Sequence, residues 1–136
     1  MSEVVIFDTS VLVDIFRSGR RLDRLASVTG LMRTSSVVLA ELWRGVTTRA
    51  ERRVLEALER NHPILTPSQQ NWLESGRLLG RIRNAAGLAP HQLRDLHFDL
   101  LIALTARSHG ARLITSNRRD FQLIQRYRHF DLEVWT

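Results

Sequence analysis

The chain has 136 residues, 43% hydrophobic and 25% charged, a composition typical of one globular domain. Because it contains no cysteine, disulfide frameworks, thiolate metal sites and cysteine nucleophiles are excluded. All 20 basic residues are arginine and outnumber 14 acidic residues, giving a net charge of +6. This charge favours a polyanionic or acidic partner, although biased genomic base composition is an alternative explanation for the absence of lysine.

Short apolar runs alternate with helical segments in the first half of the chain. The run VVIF over 4–7 has the composition of a buried parallel strand, and the capping residues Asp8, Thr9 and Ser10 precede the helical segment VLVDIF. A second helix is predicted over 22–28 and a strand over 31–34. Ser35-Ser36 can cap a third helix over VVLAELWRG, and a fourth helix is predicted over 49–60.

The same alternation continues to the end of the chain. A short strand is predicted between Pro63 and Pro67, helices over 68–84 and 92–109, a strand over 112–115, a helix over 118–125 and a strand over 132–135. Strands that alternate with helices indicate a parallel sheet covered on both faces. We therefore predict an α/β fold, a single three-layer α/β/α domain over 1–136 with four to five central parallel strands.

Three carboxylates lie in apolar surroundings. Asp8 follows the first strand directly, Glu41 lies within VVLAELW, and Asp99 lies within LHFDLLIALTA. Burying an ionised carboxylate costs several kcal/mol, so each of these acids requires a cation or must stay protonated.

The sheet edge predicts where these acids meet. Parallel α/β sheets bind ligands beyond the carboxyl ends of their strands, where Asp8 lies and where Asn117 and Asp120 follow the strand RLIT. Clustered carboxylates repel one another unless a cation is present, and oxygen ligands favour Mg²⁺ or Mn²⁺. Together with the positive net charge, this predicts metal-dependent cleavage of nucleic acid.

The residues in this order resemble a known family. Asp8-Thr9-Ser10 after the first strand, Glu41 in the third helix, Asp99 within DLLIALTA and the closing LITSNRRDF resemble the PIN-domain nucleases, specifically VapC-type toxins of bacterial toxin–antitoxin pairs. The resemblance implies a PIN-like fold and a Mg²⁺-dependent endoribonuclease that cuts transfer or ribosomal RNA. It also implies inhibition by a small VapB-like antitoxin and a homodimer. By the same resemblance Asp8, Glu41 and Asp99 coordinate the metal and act in catalysis, while Thr9, Ser10 and Thr115 support them.

The fourth acid departs from the family pattern. Many relatives carry aspartate at the position of Asn117, so either Asp120 or Asn117 completes the metal site, with Asp120 favoured as the further catalytic acid. The alternative for Asp120 is a cap of the last helix. Asp95, one turn before Asp99, is a weaker candidate. Arg118 and Arg119 are expected to contact RNA phosphates, because guanidinium groups match phosphate geometry.

Two other functions are consistent with the pattern. The first is a catalytically silent PIN-like module that binds RNA or protein through the same groove. The second is a receiver-like signalling domain, disfavoured because the chain lacks the lysine that such domains use. No apolar run approaches the roughly 20 residues that span a bilayer and no secretory leader is recognisable, so we expect a cytoplasmic protein without a membrane partner.

Overall fold

The computed structural model describes residues 3–19 and 22–136. These residues form five strands and seven helices in the predicted alternation. The strands are β1 (Val4–Phe7), β2 (Leu31–Ser35), β3 (Ile64–Leu65), β4 (Arg112–Thr115) and β5 (Leu132–Val134). The helices are α1 (Thr9–Ser18), α2 (Leu22–Ala26), α3 (Ser36–Arg44), α4 (Arg49–Asn61), α5 (Gln69–Ala86), α6 (Pro90–Ser108) and α7 (Arg118–Tyr127).

The strands form one parallel sheet in the order β3-β2-β1-β4-β5. The chain first builds the sheet outward from β1 through β2 to β3, and then returns to add β4 and β5 on the other side of β1. The strand order therefore reverses between β1 and β4, and open α/β sheets bind ligands at such a reversal. The predicted α/β fold with a parallel sheet is confirmed, with five strands.

Helices cover both faces of the sheet. Val5, Ile6 and Phe7 are consecutive in β1, so their side chains point to alternate faces, yet all three are at most 3% exposed. Leu113 and Ile114 of β4 are likewise fully buried. Side chains buried on both faces explain why these strands are continuous apolar runs rather than alternating ones.

Local capping sets where most helices begin. The Ser35 hydroxyl accepts hydrogen bonds from the backbone N–H groups of Val37 and Val38 and starts α3 as predicted. Helix α6 starts two residues earlier than predicted, because Pro90 takes its first position and the Gln92 side chain accepts from the Ala89 N–H. Within the described ranges, no helix is long and apolar enough to cross a membrane.

Candidate metal and nucleic-acid site

The candidate site lies at the carboxyl ends of β1 and β4. In the parallel register Phe7 pairs with Ile114, and the ladder extends one residue further because the Asp8 N–H donates to the Ile114 carbonyl at 3.0 Å. This register brings Asp8 beside Thr115, although the two residues are separated by 107 positions in the chain.

Asp8 is 3% exposed and both of its carboxylate oxygens are hydrogen bonded. Oδ1 accepts from the Ser10 N–H at 2.7 Å and the Ser10 hydroxyl at 2.6 Å, and Oδ2 accepts from the Thr115 hydroxyl at 2.5 Å. Burial raises the pKa of Asp8 above its ordinary value, and the hydrogen bonds from Ser10 and Thr115 oppose this shift. The carboxylate is therefore held in one orientation at the sheet edge.

The two hydroxyl donors are themselves held by the loop after β4. The Ser10 hydroxyl accepts from the Ser116 N–H at 3.1 Å, and the Thr115 hydroxyl accepts from the Asn117 N–H at 2.9 Å. Each hydroxyl thus accepts from this loop and donates to Asp8. Ser10 and Thr115, which the family resemblance predicts to support the metal ligands, thus both contact Asp8.

Glu41 extends from α3 towards the same edge. Its Oε1 accepts from the Thr9 hydroxyl at 2.9 Å, which links α3 to the start of α1. Burial raises the pKa of Glu41, the Thr9 hydrogen bond and the Arg44 charge oppose the shift, and the charges of Asp8 and Asp95 add to it. Glu41 also lines a small pocket of about 90 Å³ beside Arg17.

Asp99 lies on the face of α6 that is turned towards the protein core. Leu96, Ile102 and Ala106, which share its helical face, are at most 2% exposed. Burial raises the pKa of Asp99 to about 9, and the charges of Asp120, Asp8 and Glu41 contribute to this rise, together with a hydrogen bond with the Asp120 side chain. The charges of the other three predicted acids therefore all act on the Asp99 carboxyl.

Asn117 and Asp120 have different roles. The Asn117 side chain caps α7 by accepting from the Asp120 N–H at 3.3 Å, and its Nδ2 donates to Asp120 Oδ2 at 3.1 Å. The helix cap considered for Asp120 is thus made by Asn117 instead. This leaves the Asp120 carboxylate, oriented by the Asn117 amide, facing Asp99.

Among residues 3–19 and 22–136, none of the four acids forms an ion pair with arginine. The ion pairs between described residues join Arg112 to Glu3 and Glu133, and Arg128 to Glu74. None of these pairs involves Asp8, Glu41, Asp99 or Asp120. In the described part of the chain, the cation that acts on the cluster is Arg44, whose charge opposes the rise in the pKa of Glu41 without an ion pair between them.

Beside the acids lies a cleft of about 410 Å³ between the start of α6 and the start of α7. Asn117, Asp120 and Arg119 line it on one side, and Gln92 and Asp95 on the other. Arg118 is exposed next to it in the first turn of α7. Of the four acids of the cluster, Asp120 lines this cleft, so a ligand bound there would reach the cluster at Asp120.

Asp95 lies closer to the site than its weak sequence signal indicates. It lines the cleft, and its charge contributes to the raised pKa of Glu41. Its spacing of four residues from Asp99 was the available signal, but the same position suits an ordinary acid near a helix N-terminus. Only the structure, in which Asp95 lines the cleft, separates an acid beside the site from an ordinary acid near a helix N-terminus.

The donor set suits a hard divalent cation, because every group in it offers oxygen and the carboxylates destabilise one another when ionised. Among residues 3–19 and 22–136, however, no group of three or more histidine or acidic side chains is arranged to hold a metal ion as it stands. Binding an ion would thus require these side chains to adjust.

The chain belongs to the PIN domain family, whose model matches residues 5–127. This confirms the predicted family and fold and leaves no basis for the receiver-like interpretation. No curated protein sequence matches the chain.

Solved structures share the fold over most of the chain. A chain of a toxin-antitoxin complex from Klebsiella pneumoniae is 30% identical, with 86% of this chain and 89% of that chain covered and a TM-score of 0.61. A chain of VapBC2 from Rickettsia felis, bound to a promoter DNA fragment, is 24% identical over 98% of this chain and 99% of that chain, with a TM-score of 0.72. A chain of DNA-bound VapBC from Salmonella typhimurium is 23% identical over the full length of both, with a TM-score of 0.67.

Proposed function

We propose that the protein is a metal-dependent endoribonuclease that acts as the VapC-type toxin of a toxin–antitoxin pair. The observation that carries the proposal is that the charges of Asp8, Glu41 and Asp120 all act on the Asp99 carboxyl, while Asp120 also lines the cleft. Within residues 3–19 and 22–136, none of the four acids forms an ion pair with arginine. Such a cluster is stable in its charged form only with a cation bound, and a polyanionic substrate suits the net charge of +6.

Asp8, Glu41, Asp99 and Asp120 would hold Mg²⁺ or Mn²⁺, with Asn117 orienting Asp120. When bound, such an ion supplies positive charge that activates water and neutralises a phosphodiester. Thr115 and Ser10 fix the Asp8 carboxylate, and Thr9 orients Glu41. The Asp99 carboxyl, whose pKa is about 9, holds a proton at neutral pH and would have to release that proton to act as a metal ligand.

Arg118 and Arg119 would contact RNA phosphates at the mouth of the cleft. Both arginines are exposed in the first turn of α7, and Arg119 lines the cleft directly. Their guanidinium groups offer the paired donors that phosphate oxygens accept. We propose transfer or ribosomal RNA as the substrate class. We also propose that the protein acts in the cytoplasm, where these RNAs are used.

The toxin role is supported by relatives whose structures are toxin-antitoxin complexes. We propose that a small VapB-like antitoxin inhibits this chain and that the chain forms a homodimer. Induced expression should then arrest growth, and co-expression of the product of the adjacent gene should restore it. Expression of folded protein without growth arrest would contradict the toxin role. Light scattering of the purified protein tests the proposed homodimer.

The direct test of the nuclease is incubation of purified protein with total RNA, with and without Mg²⁺, followed by mapping of new 5′ ends. Asp99→Asn and Asp120→Asn should each lower cleavage more than about 100-fold, since residues that only support metal ligands already contribute about 10–100-fold. Asp131→Asn, the same change at an exposed position, is the matched control.

Asn117→Ala distinguishes the two candidates for the fourth ligand. If Asn117 only orients Asp120, this variant should retain more cleavage than Asp120→Asn. Mg²⁺-independent cleavage, or full activity of Asp99→Asn, would reject the metal assignment. RNA binding without any cleavage would instead support the catalytically silent module.

A further inference from the structure

A second charged surface lies between α5 and the end of α7. We call it the basic groove. It has a volume of about 290 Å³ and is lined by Gln70, Glu74, Arg77, Leu78, Arg81 and Arg128. Leu78 forms a buried floor, while Arg77 and Arg81 are exposed. The other lining side chains are polar, which makes the groove suited to a charged ligand.

The basic groove has more positive charge than its own acid can balance. Arg128 forms an ion pair with Glu74, the single acidic residue in the lining. Arg77 and Arg81 take part in none of the ion pairs between described residues. Two guanidinium charges are therefore available to an anionic ligand.

An aromatic ring orients one of these guanidinium groups. The Arg81 guanidinium carbon lies 5.3 Å from the centre of the Tyr127 ring. Stacking on a ring occupies the face of the guanidinium group but leaves its N–H donors free at the edge. Arg81 is thus held in place while keeping the donors that bind phosphate in pairs.

The groove lies on a line that begins at the cleft. Arg119 and Leu123 line the cleft, and Tyr127 follows at the same spacing of four residues, so the three share one face of α7. Helix α5 runs in the opposite direction beside them, with Ala86 at the cleft and Glu74 at Arg128. Eight residues of α7 correspond to about 12 Å between Arg119 and Tyr127.

We propose that the basic groove binds the phosphate backbone of the RNA strand where it leaves the cleft, through Arg77 and Arg81. This inference rests on the proposed nuclease function and extends its substrate contacts beyond the cleft. RNA is favoured over an acidic protein segment because Arg77 and Arg81 follow, along α5 and α7, from the cleft residues that are proposed to contact RNA. Backbone contacts of this kind add affinity without reading sequence.

Binding of a fluorescein-labelled 12-nucleotide single-stranded RNA, measured by anisotropy in EDTA, tests the groove without cleavage. Arg77→Gln/Arg81→Gln should weaken binding about tenfold. The same variant should reduce the slope of log K against log salt by about 1.4, because each phosphate that is no longer neutralised lowers the slope by about 0.7. Arg52→Gln/Arg53→Gln removes two exposed arginines from α4 and is the matched control, which should bind as the wild type does.

Cleavage assays separate this proposal from the nuclease proposal. The groove variant should raise KM for long RNA and leave kcat unchanged, because it alters none of the four acids of the cluster. Equal affinity and salt slope for the groove and control variants would overturn the groove, whether or not the wild type cleaves RNA. Unchanged RNA binding with weakened antitoxin binding would also overturn it and assign the surface to the protein partner. If the wild type cleaves no RNA, the nuclease proposal fails independently of the binding result.

Discussion

Replacing Asp99 with asparagine should stabilise the ion-free protein at neutral pH. Asp99 is surrounded by buried apolar side chains and by three other acids, which together raise its pKa to about 9. The folded protein therefore keeps a proton on Asp99 that the unfolded chain has released. Asparagine has nearly the same shape and carries no proton to be taken up, so the variant avoids this cost.

The magnitude follows from the difference between the two pKa values. At pH 7 the unfolded carboxyl is about three pH units above its ordinary pKa of 3.8, and each unit corresponds to about 1.36 kcal/mol, which gives about 4 kcal/mol. The Asp99 side chain keeps some solvent exposure, which screens the effect, so we expect a gain of about 2 kcal/mol. For a chain of this length, that gain raises Tm by roughly 7 °C.

The sign of the pH dependence is defined by the same pKa. Because the folded-state pKa is raised, the stability that Asp99 contributes is present below about pH 4 and is lost as pH rises towards 9. Urea denaturation in EDTA from pH 4 to pH 9 measures this loss for the wild type, Asp99→Asn and the exposed control Asp131→Asn. The difference between wild type and Asp99→Asn isolates Asp99, since the other acids are present in both. If that difference is zero at every pH, Asp99 does not lie in a desolvated cluster of like charges.

Three further predictions concern the hydrogen bonds, the backbone and the cation. Thr115→Val removes the hydroxyl that donates to Asp8 Oδ2. This variant should be less stable by about 1–3 kcal/mol in urea denaturation and should cleave RNA about 10–100-fold more slowly. An unchanged cleavage rate would show that Asp8 does not need this hydrogen bond. Gly30 has φ +125°, and a Cβ at this position would lie 2.6 Å from the Glu3 carbonyl oxygen. Gly30→Ala should therefore lower the free energy of unfolding by at least about 1–3 kcal/mol in urea denaturation. A variant as stable as the wild type would contradict this backbone geometry. Mg²⁺ at about a hundredfold excess over its Kd should stabilise the wild type by about 2.7 kcal/mol, as measured by calorimetry. It should stabilise Asp99→Asn by much less. Equal gains in stability for both proteins would place the ion at a site that does not include Asp99.

Most of the secondary structure was predictable because its signals are local. The apolar run VVIF and the serine cap of α3 are each contained within a few neighbouring residues, and β1 and the start of α3 lie where these signals place them. The first two residues of α6 were missed because Pro90 also suits a loop. Its role as the first helical residue depends on the Gln92 side chain reaching back to the Ala89 N–H.

The sequence by itself determined the α/β architecture and which carboxylates lie in apolar surroundings, since burial and periodicity are properties of short segments. Only the tertiary structure decided how those carboxylates meet. The register of β1 against β4 sets Asp8 beside Thr115, and the Asn117 cap of α7 leaves Asp120 facing Asp99. It also brought Arg77 and Arg81 of α5 into one groove with Arg128, which follows α7. These relations join positions far apart in the chain, and they depend on strand pairing and helix packing that no short segment encodes.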